Sequence, residues 1–352
     1  RTRSGQPVTP RSARTIIFIK KTAKRFTIKE LPISVICFFM KNIMKKWILF
    51  VLLTFGVIST CFASKNGQAG SFYFIAMDQP ASNNHVQLKK ELSRLKNTNP
   101  EFIVLNGIKS NAESCGDDLY TERKELLNDV NRPVIVSLAG GDWVYCKNSR
   151  GNPVSVERLR RLREILFDSG HSLGNQPINL TRQSLSNRFS AYSENFYWSH
   201  GPVLFATLHL PANNNNYLAA AGRNNEFEDR TIANKNWLDL VFRQATREHA
   251  KAIVLFTDGN PYNVKTASRD GFSEIRQKLN TLLSHYSGRV LIIHGQSGPI
   301  PKDIVWKGKL GLAGVGSIWT RFNVTPNSGA IFRIQQAAPK KQGKQKKAIR
   351  TR

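Results

Sequence analysis

Polar residues stand at the carboxyl ends of several apolar segments of this 352-residue chain. Asp78 follows FYFIAM, Asn106 follows FIVL, and Asp142 comes shortly after PVIVSLA. Asp258 and His294 hold comparable positions after two later apolar segments. In sheets flanked by helices, functional residues commonly lie at the carboxyl ends of the strands. Carboxylates together with imidazoles are suitable ligands for Zn, Mn or Fe. The pattern therefore predicts a metal-type site, with many ligands missing, at one sheet edge.

Alternating elements position these residues. Strands are predicted at 71–77, 102–105 and 133–138, with helices at 86–95 and 117–130 between them. Such alternation implies parallel strands with helices on the faces of the sheet.

The second half of the chain continues in a similar way. A hairpin is predicted around His200-Gly201-Pro202, and residues 213–216 are expected to form a polar loop. Arg158, Arg160, Arg161 and Arg163 are expected on a solvated helix face. The remaining predicted elements are helices at 154–167, 226–248 and 272–286 and strands at 252–256, 290–293, 315–322 and 330–334.

Several segments at the strand ends follow one another in a recognisable order and spacing. They are FIAMDQP at 74–80, FIVLNGIKS at 102–110, AGGDWVYC at 139–146, FATLHLPANNN at 205–215 and HGQS at 294–297. Together they resemble the calcineurin-like metallophosphoesterases, and most of all an exported bacterial branch of that superfamily. The resemblance covers most of 70–335. It implies a metallophosphoesterase-like α/β/β/α sandwich of two mixed sheets with flanking helices, a two-metal site at one edge, and hydrolysis of phosphoric esters.

The resemblance weakens at the metal ligands. Asp78 stands where the family's first Asp ligand stands, but Asn106-Gly107 replaces the Gly-Asp that supplies the bridging carboxylate. Two divalent ions about 3.5–4 Å apart repel strongly, by roughly 17–19 kcal/mol at an effective dielectric near 20, and a bridging carboxylate relieves that repulsion. The candidate remnants of the metal site are Asp78, Asp142, His209, Asp258 and His294, with Asn106, Asn260 and Gln296 as candidates around them.

Purely structural roles also remain open for these residues. His209 and His294 also fit hydrogen-bonded structural histidines, and Asp142 beside Trp143 also fits the cap of a turn. Asn106-Gly107 is a good turn pair in its own right.

Three functions are therefore predicted. The first is a pseudoenzyme with an eroded dinuclear site, weakly active or inactive, that acts by binding. The second is an active phosphoesterase with a rearranged or single-metal site. The third is a basic binder of the cell envelope or of nucleic acid. We expect the chain to bind at most one divalent metal ion (Mn, Zn or Fe), and none if it is a pseudoenzyme. The expected partner is a small phosphoester or a protein ligand.

The chain carries signs of export. Residues 44–63 have the positive start, apolar run and small residues of a signal peptide. Residues 1–43 are expected to be a non-native or leader extension, and 64–336 one metallophosphoesterase-like domain. Residues 337–352 are expected to form a disordered basic tail. The protein is thus expected in the periplasm or secreted, with membrane contact only if the leader stays uncleaved.

The mature chain keeps two cysteines, Cys115 and Cys146, which are expected to pair in an oxidising compartment. Two unrelated thiols are the alternative.

Charge argues against a specific nucleic-acid partner. The formal net charge is +28, but residues 1–43 hold ten Lys/Arg against one Glu, and 339–352 hold seven Lys/Arg and no acid. Much of the excess therefore lies at the two ends of the chain, where it can bind anions only nonspecifically.

Overall fold

The computed structural model describes residues 70–79, 84–95, 98–219, 222, 224–263, 269–298, 300 and 302–336. The predicted signal peptide, the extension at 1–43 and the basic tail at 337–352 lie outside the described residues.

One sheet of five strands carries the first two polar strand ends. Its central strand β1 pairs in parallel with β2, which pairs in parallel with β3, whereas β11 and β12 add antiparallel strands on the other side. The register places Asp78 opposite Asn106 and Asn106 opposite Ser137. The bounds are β1 Phe72–Asp78, β2 Ile103–Asn106, β3 Val134–Ser137, β11 Thr320–Val324 and β12 Phe332–Gln336.

A second sheet of seven strands carries the later polar ends. Its order is β4-β5-β6-β7-β8-β10-β9, and the four strands β6, β7, β8 and β10 run in parallel. Thr257 lies opposite His294 in this register, so Asp258 and His294 leave the sheet at the same edge. The bounds are β4 Thr181–Arg182, β5 Phe196–His200, β6 Val203–Thr207, β7 Ala252–Thr257, β8 Arg289–Gly295, β9 Val305–Lys307 and β10 Leu310–Val315.

Amphipathic helices cover the outer faces of the sheets. The longest, α4, buries Trp237, Leu238, Val241 and Phe242, which lie on one side because four residues make about one turn. With α5 it covers one face of the seven-stranded sheet. The bounds are α1 Asn84–Arg94, α2 Asp117–Asn128, α3 Ser155–Leu166, α4 Asn225–Arg247 and α5 Ser273–His285.

Aromatic side chains fill the space between the two sheets. Phe74 of β1 stacks on Phe102 and Phe322, each with a ring-centroid distance of 5.1 Å, and meets Phe205 of β6 edge-on at 5.4 Å. The next residue, Ile75, points the other way and packs with Ile103, because side chains alternate across a strand. The packed rings hold the edges of the two sheets at a fixed separation.

The predicted α/β sandwich of two mixed sheets with flanking helices is confirmed. One strand prediction is wrong in its bounds: residues 315–322 are split between β10 and β11. The glycine-rich part of β10 was not expected to be a strand. Glycine suits position 311 because a Cβ there would come within 2.8 Å of the Trp306 ring.

The solvated helix face predicted for four arginines is only partly right. Arg158 and Arg161 bind Asp117, and Arg163 binds the fully buried Glu194. Among the described residues, no helix is long and apolar enough to cross a membrane.

A disulfide joins Cys115 and Cys146, as the sequence predicts. It connects the segment before α2 to the turn that follows Asp142, and the two Cα atoms are 5.8 Å apart. The bridge therefore restrains one of the loops at the carboxyl edge of the five-stranded sheet.

Removing this bridge should destabilise the protein. For a double variant with Cys115→Ala and Cys146→Ala, we expect the free energy of unfolding to fall by about 3–4 kcal/mol, because the bridge closes a loop of 31 residues in the unfolded chain. Urea unfolding with and without dithiothreitol measures this. Reductant should lower the wild-type midpoint and leave the variant unchanged; a wild-type midpoint that ignores reductant contradicts the prediction.

Candidate functional site

The side-chain amide of Asn106 lies between two carboxylates. Its Nδ2 donates to Asp78 Oδ1 at 3.1 Å and to Asp258 Oδ1 at 3.3 Å. Asn106 and Asp258 are only 5% and 7% exposed. We call this arrangement the amide bridge. It joins the two sheets, because Asp78 and Asn106 end β1 and β2, whereas Asp258 follows β7.

Asp258 is also held by backbone groups. Its Oδ2 accepts hydrogen bonds from the amides of Gly140 and Ala212, both at 2.7 Å. Burial nevertheless raises the pKa of Asp258, against the effect of these donors. Burial also raises the pKa of Asp78 to about 8, and the nearby charge of Asp258 adds to the shift. Ionising both Asp78 and Asp258 is therefore unfavourable unless a cation lies beside them.

Asp142 faces backbone donors. Its Oδ1 accepts from the amides of Ile108 and Lys109 at 2.8 and 3.2 Å, and its Oδ2 accepts from Ala139 at 2.8 Å. The residue is fully buried, and burial raises its pKa to about 6. Asp142 therefore connects the loop after β2 to the turn after β3. This is the turn-capping role that the sequence analysis gives as an alternative to metal binding.

His209 belongs to a separate buried chain of hydrogen bonds. Its Nε2 accepts from Trp143 Nε1 at 3.1 Å, and its Nδ1 donates to Glu194 Oε1 at 3.0 Å. Burial lowers the pKa of His209. Although burial opposes it, Arg163 and His209 hold the pKa of Glu194 at about 2. Both ring nitrogens of His209 are thus occupied.

His294 lines a cavity of about 920 Å³ that also reaches Asp258. Its Nε2 accepts from Asn260 Nδ2 at 3.1 Å, and its Nδ1 donates to the Gly295 carbonyl at 2.9 Å. Burial lowers its pKa. Gln296 lines the same cavity and its backbone amide bonds to Val315.

The structure thus divides the candidates predicted from the sequence. It brings Asp78, Asn106 and Asp258 into direct contact and places His294, Asn260 and Gln296 on the adjoining cavity. Asp142 and His209 instead hold neighbouring loops. Sequence reasoning missed Glu194 and Arg163, the partners behind His209, because their pairing depends on contacts between distant parts of the chain.

A pair of divalent ions does not fit these residues. A donor group, the Asn106 NH₂, occupies the place between the two carboxylates, and hydrogen-bond donors already saturate Nε2 of both imidazoles. The described part of the chain contains no group of three or more His, Cys, Asp or Glu side chains arranged to hold a metal.

Comparisons with known proteins identify similar folds only. No family model and no curated protein matches the chain. Among solved structures it is similar to PhoD, with a TM-score of 0.45 and 11% identity over 73% of this chain and 64% of that chain. It is similar to a 5′-nucleotidase from Candida albicans, with a TM-score of 0.41 and 7% identity over 76% of this chain and 51% of that one. A glutamine-dependent NAD⁺ synthetase from Acinetobacter baumannii in complex with ADP has a TM-score of 0.38 and 10% identity over 76% and 48%.

The chain therefore spans less than two thirds of the length of each of these structures. At such identities the similarities carry no information about a reaction. The two mixed sheets with outer helices match the sandwich that the sequence resemblance implied, so that prediction is confirmed at the level of the fold.

Asp78 should make stability depend on pH. Its pKa of about 8 in the folded protein exceeds the ordinary value of 3.8. The stability it contributes is thus complete below about pH 4 and is lost as pH rises to about 8. In Asp78→Asn the neutral amide keeps an acceptor for Asn106 and carries no charge. The difference in Tm, variant minus wild type, should therefore rise between pH 5 and 8.5, by roughly 2–4 °C for each kcal/mol involved.

Differential scanning fluorimetry in EDTA measures this difference. Asp303→Asn, at an exposed position, is the matched control and should show no trend. A difference that falls with pH would mean that Asp78 is ionised and stabilised in the folded protein.

Proposed function

We propose that this chain is an exported binding protein on a phosphoesterase-like fold, in which the place of a dinuclear metal centre is taken by the amide bridge. The observation that carries the proposal is the position of Asn106 Nδ2 between Asp78 and Asp258. A bridging anion would hold two cations there, whereas an NH₂ group holds two carboxylates. On this proposal, hydrolysis through two metals is not expected.

Further contacts support a rigid binding site. Arg230 is fully buried and donates to both the side chain and the carbonyl of Asn215. It also bonds the His209 carbonyl at 3.2 Å. These contacts fix residues 211–217, of which Ala212, Asn213 and Asn214 line the cavity. A loop held in this way is suited to present polar groups to a ligand at little cost in conformational entropy.

Export is part of the proposal. It is supported by the signal-like segment at 44–63 and by the disulfide, because disulfides persist in oxidising compartments. The basic ends of the chain add nonspecific attraction to anionic surfaces.

Metal analysis and activity assays test the proposal together. After incubation of the purified chain with Mn²⁺ or Zn²⁺ and desalting, we expect less than one ion per chain and no turnover of aryl phosphomonoesters or phosphodiesters above an Asp78→Ala control. Two bound ions per chain would overturn the proposal. One ion together with turnover that Asp78→Ala abolishes would instead establish the single-metal phosphoesterase.

Replacing Asn106 by a carboxylate should make the stability of the protein depend on a bound metal ion. In Asn106→Asp, two hydrogen bonds are replaced by repulsion among three buried acidic groups. We expect Tm to fall by roughly 5 °C or more at pH 7.5 in EDTA. Added Mn²⁺ should recover much of that loss, since a cation would then have three carboxylates around it.

The matched control is Asn175→Asp, the same change at an exposed position, which should leave Tm unchanged in both conditions. An Asn106→Asp protein as stable in EDTA as the wild type would show that the amide bridge does not hold the carboxylates.

A further inference from the structure

The residue at the centre of the amide bridge stands before a glycine, in the dipeptide Asn106-Gly107. In a flexible chain this dipeptide loses its side-chain amide readily. The glycine nitrogen attacks Cγ of the asparagine, the amide nitrogen leaves as ammonia together with the N–H proton, and a five-membered succinimide ring forms. Water then opens the ring at either carbonyl and gives aspartate or isoaspartate. Glycine favours the attack because it has no side chain to hinder it.

The fold needs both residues of this labile pair. Gly107 has a φ of +76°, a conformation that glycine adopts without strain, and a Cβ there would come within 2.8 Å of the Ala139 Cβ. Asn106 supplies the NH₂ group that lies between Asp78 and Asp258. The reactive dipeptide is therefore a consequence of how the site is built.

The strand conformation of Asn106 opposes ring closure. Asn106 is the last residue of β2, and the register places it opposite Asp78 of β1 and Ser137 of β3. In the extended conformation of a strand, the nitrogen of the next residue points away from Cγ. The ring can form only after a rotation about the Cα–C bond of Asn106, which takes that residue out of the sheet.

Hydrogen bonds hold the peptide group between Asn106 and Gly107 on both sides. The Asn106 carbonyl accepts from the Gln79 amide at 3.1 Å, and the Gly107 amide donates to the Ser137 carbonyl at 2.7 Å. The attacking nitrogen is thus engaged through its own proton. The side-chain amide is bonded to two carboxylates, and Asn106 is only 5% exposed, which keeps out the water that must open the ring.

We propose that Asn106 is a conditional modification site, at which folding protects the side-chain amide and unfolding allows its hydrolysis to a carboxylate. The inference rests on the amide bridge of the proposed function. A chain that unfolds for long enough and then refolds carries an acid in place of the NH₂ group. Aspartate there brings three acidic groups together, and isoaspartate adds a methylene to the backbone at the end of β2. The bridge is therefore lost in one direction only.

Incubation of the purified chain in EDTA, in native buffer and in guanidinium chloride at neutral pH, tests the proposal. Peptide mass spectrometry follows the conversion of Asn106, and Asn66-Gly67, the same dipeptide elsewhere in the chain, is the internal reference in denaturant. In denaturant we expect the two sites to convert at rates within threefold of each other. Because a stable domain unfolds only rarely, Asn106 should convert at least a hundredfold more slowly in native buffer. Equal rates in the two conditions would overturn the proposal, as would an intact Asn106 beside a converted Asn66 in denaturant.

A core variant tests whether the chain has to unfold. Leu279 is fully buried in α5, on the outer face of the other sheet. Leu279→Ala leaves a cavity and raises the unfolded fraction, so conversion of Asn106 in native buffer should rise at least tenfold. Leu185→Ala, the same change at a position that is 76% exposed, should leave the rate unchanged. A Leu279→Ala rate equal to that of the wild type would show that the end of β2 opens locally, against the proposal.

Should Leu279→Ala fail to fold, low concentrations of guanidinium chloride serve the same purpose on the wild-type protein. The rate of conversion should rise in proportion to the unfolded fraction, which tryptophan fluorescence measures. A rate that does not follow the unfolded fraction would refute the proposal.

The converted protein completes the test. Ion exchange separates it after refolding, and we expect its Tm in EDTA to lie below that of unconverted protein treated in the same way; equal Tm values would show that the bridge survives hydrolysis. These measurements need neither metal nor substrate, so they separate the two proposals. A chain whose Asn106 converts equally fast when folded and unfolded loses only this inference, whereas two bound ions and phosphoesterase turnover would overturn the proposed function itself.

Discussion

The amide bridge is the interaction on which the arrangement of the site depends. It is the point where the carboxyl edges of the two sheets meet, because Asp78 and Asn106 belong to one sheet and Asp258 follows a strand of the other. A carboxamide is neutral and has donors on one side and an acceptor on the other. With its donors turned towards two carboxylates, it relieves part of their repulsion without a cation. Among the described residues, its acceptor oxygen has no hydrogen-bond partner.

The neighbouring polar groups follow from the same constraint. Buried carboxylates need hydrogen bonds, and Asp142 and Asp258 obtain them from five backbone amides of the loops that leave the strands. His209 is oriented by Trp143 and by Glu194, whose charge is balanced by Arg163. The loops are therefore built around the acidic residues, and these acidic residues contribute to the structure whether or not a ligand is bound.

The sequence predicted most of the fold because the fold rests on local patterns. Alternating apolar strands and amphipathic helices have periods that can be recognised along the chain, and the aromatic residues of β1 and β6 fall on inward positions. The exceptions were β10, whose glycines lower strand propensity, and the short strands β4 and β9. In β10, Gly311 leaves room for the Trp306 ring that lies against it, and no local pattern reveals such a contact.

The site could be predicted only as a set of residues. Polar strand ends identified Asp78, Asn106 and Asp258, but their spacing could not show which way the Asn106 amide would turn, nor that Glu194 would hold His209. Those features depend on side chains brought together from 152 and 15 residues apart. The direction of the amide decides the chemistry. With its oxygen between the carboxylates it would add to a cation site of three acceptors, whereas with its nitrogen there it links the acidic pair without a cation.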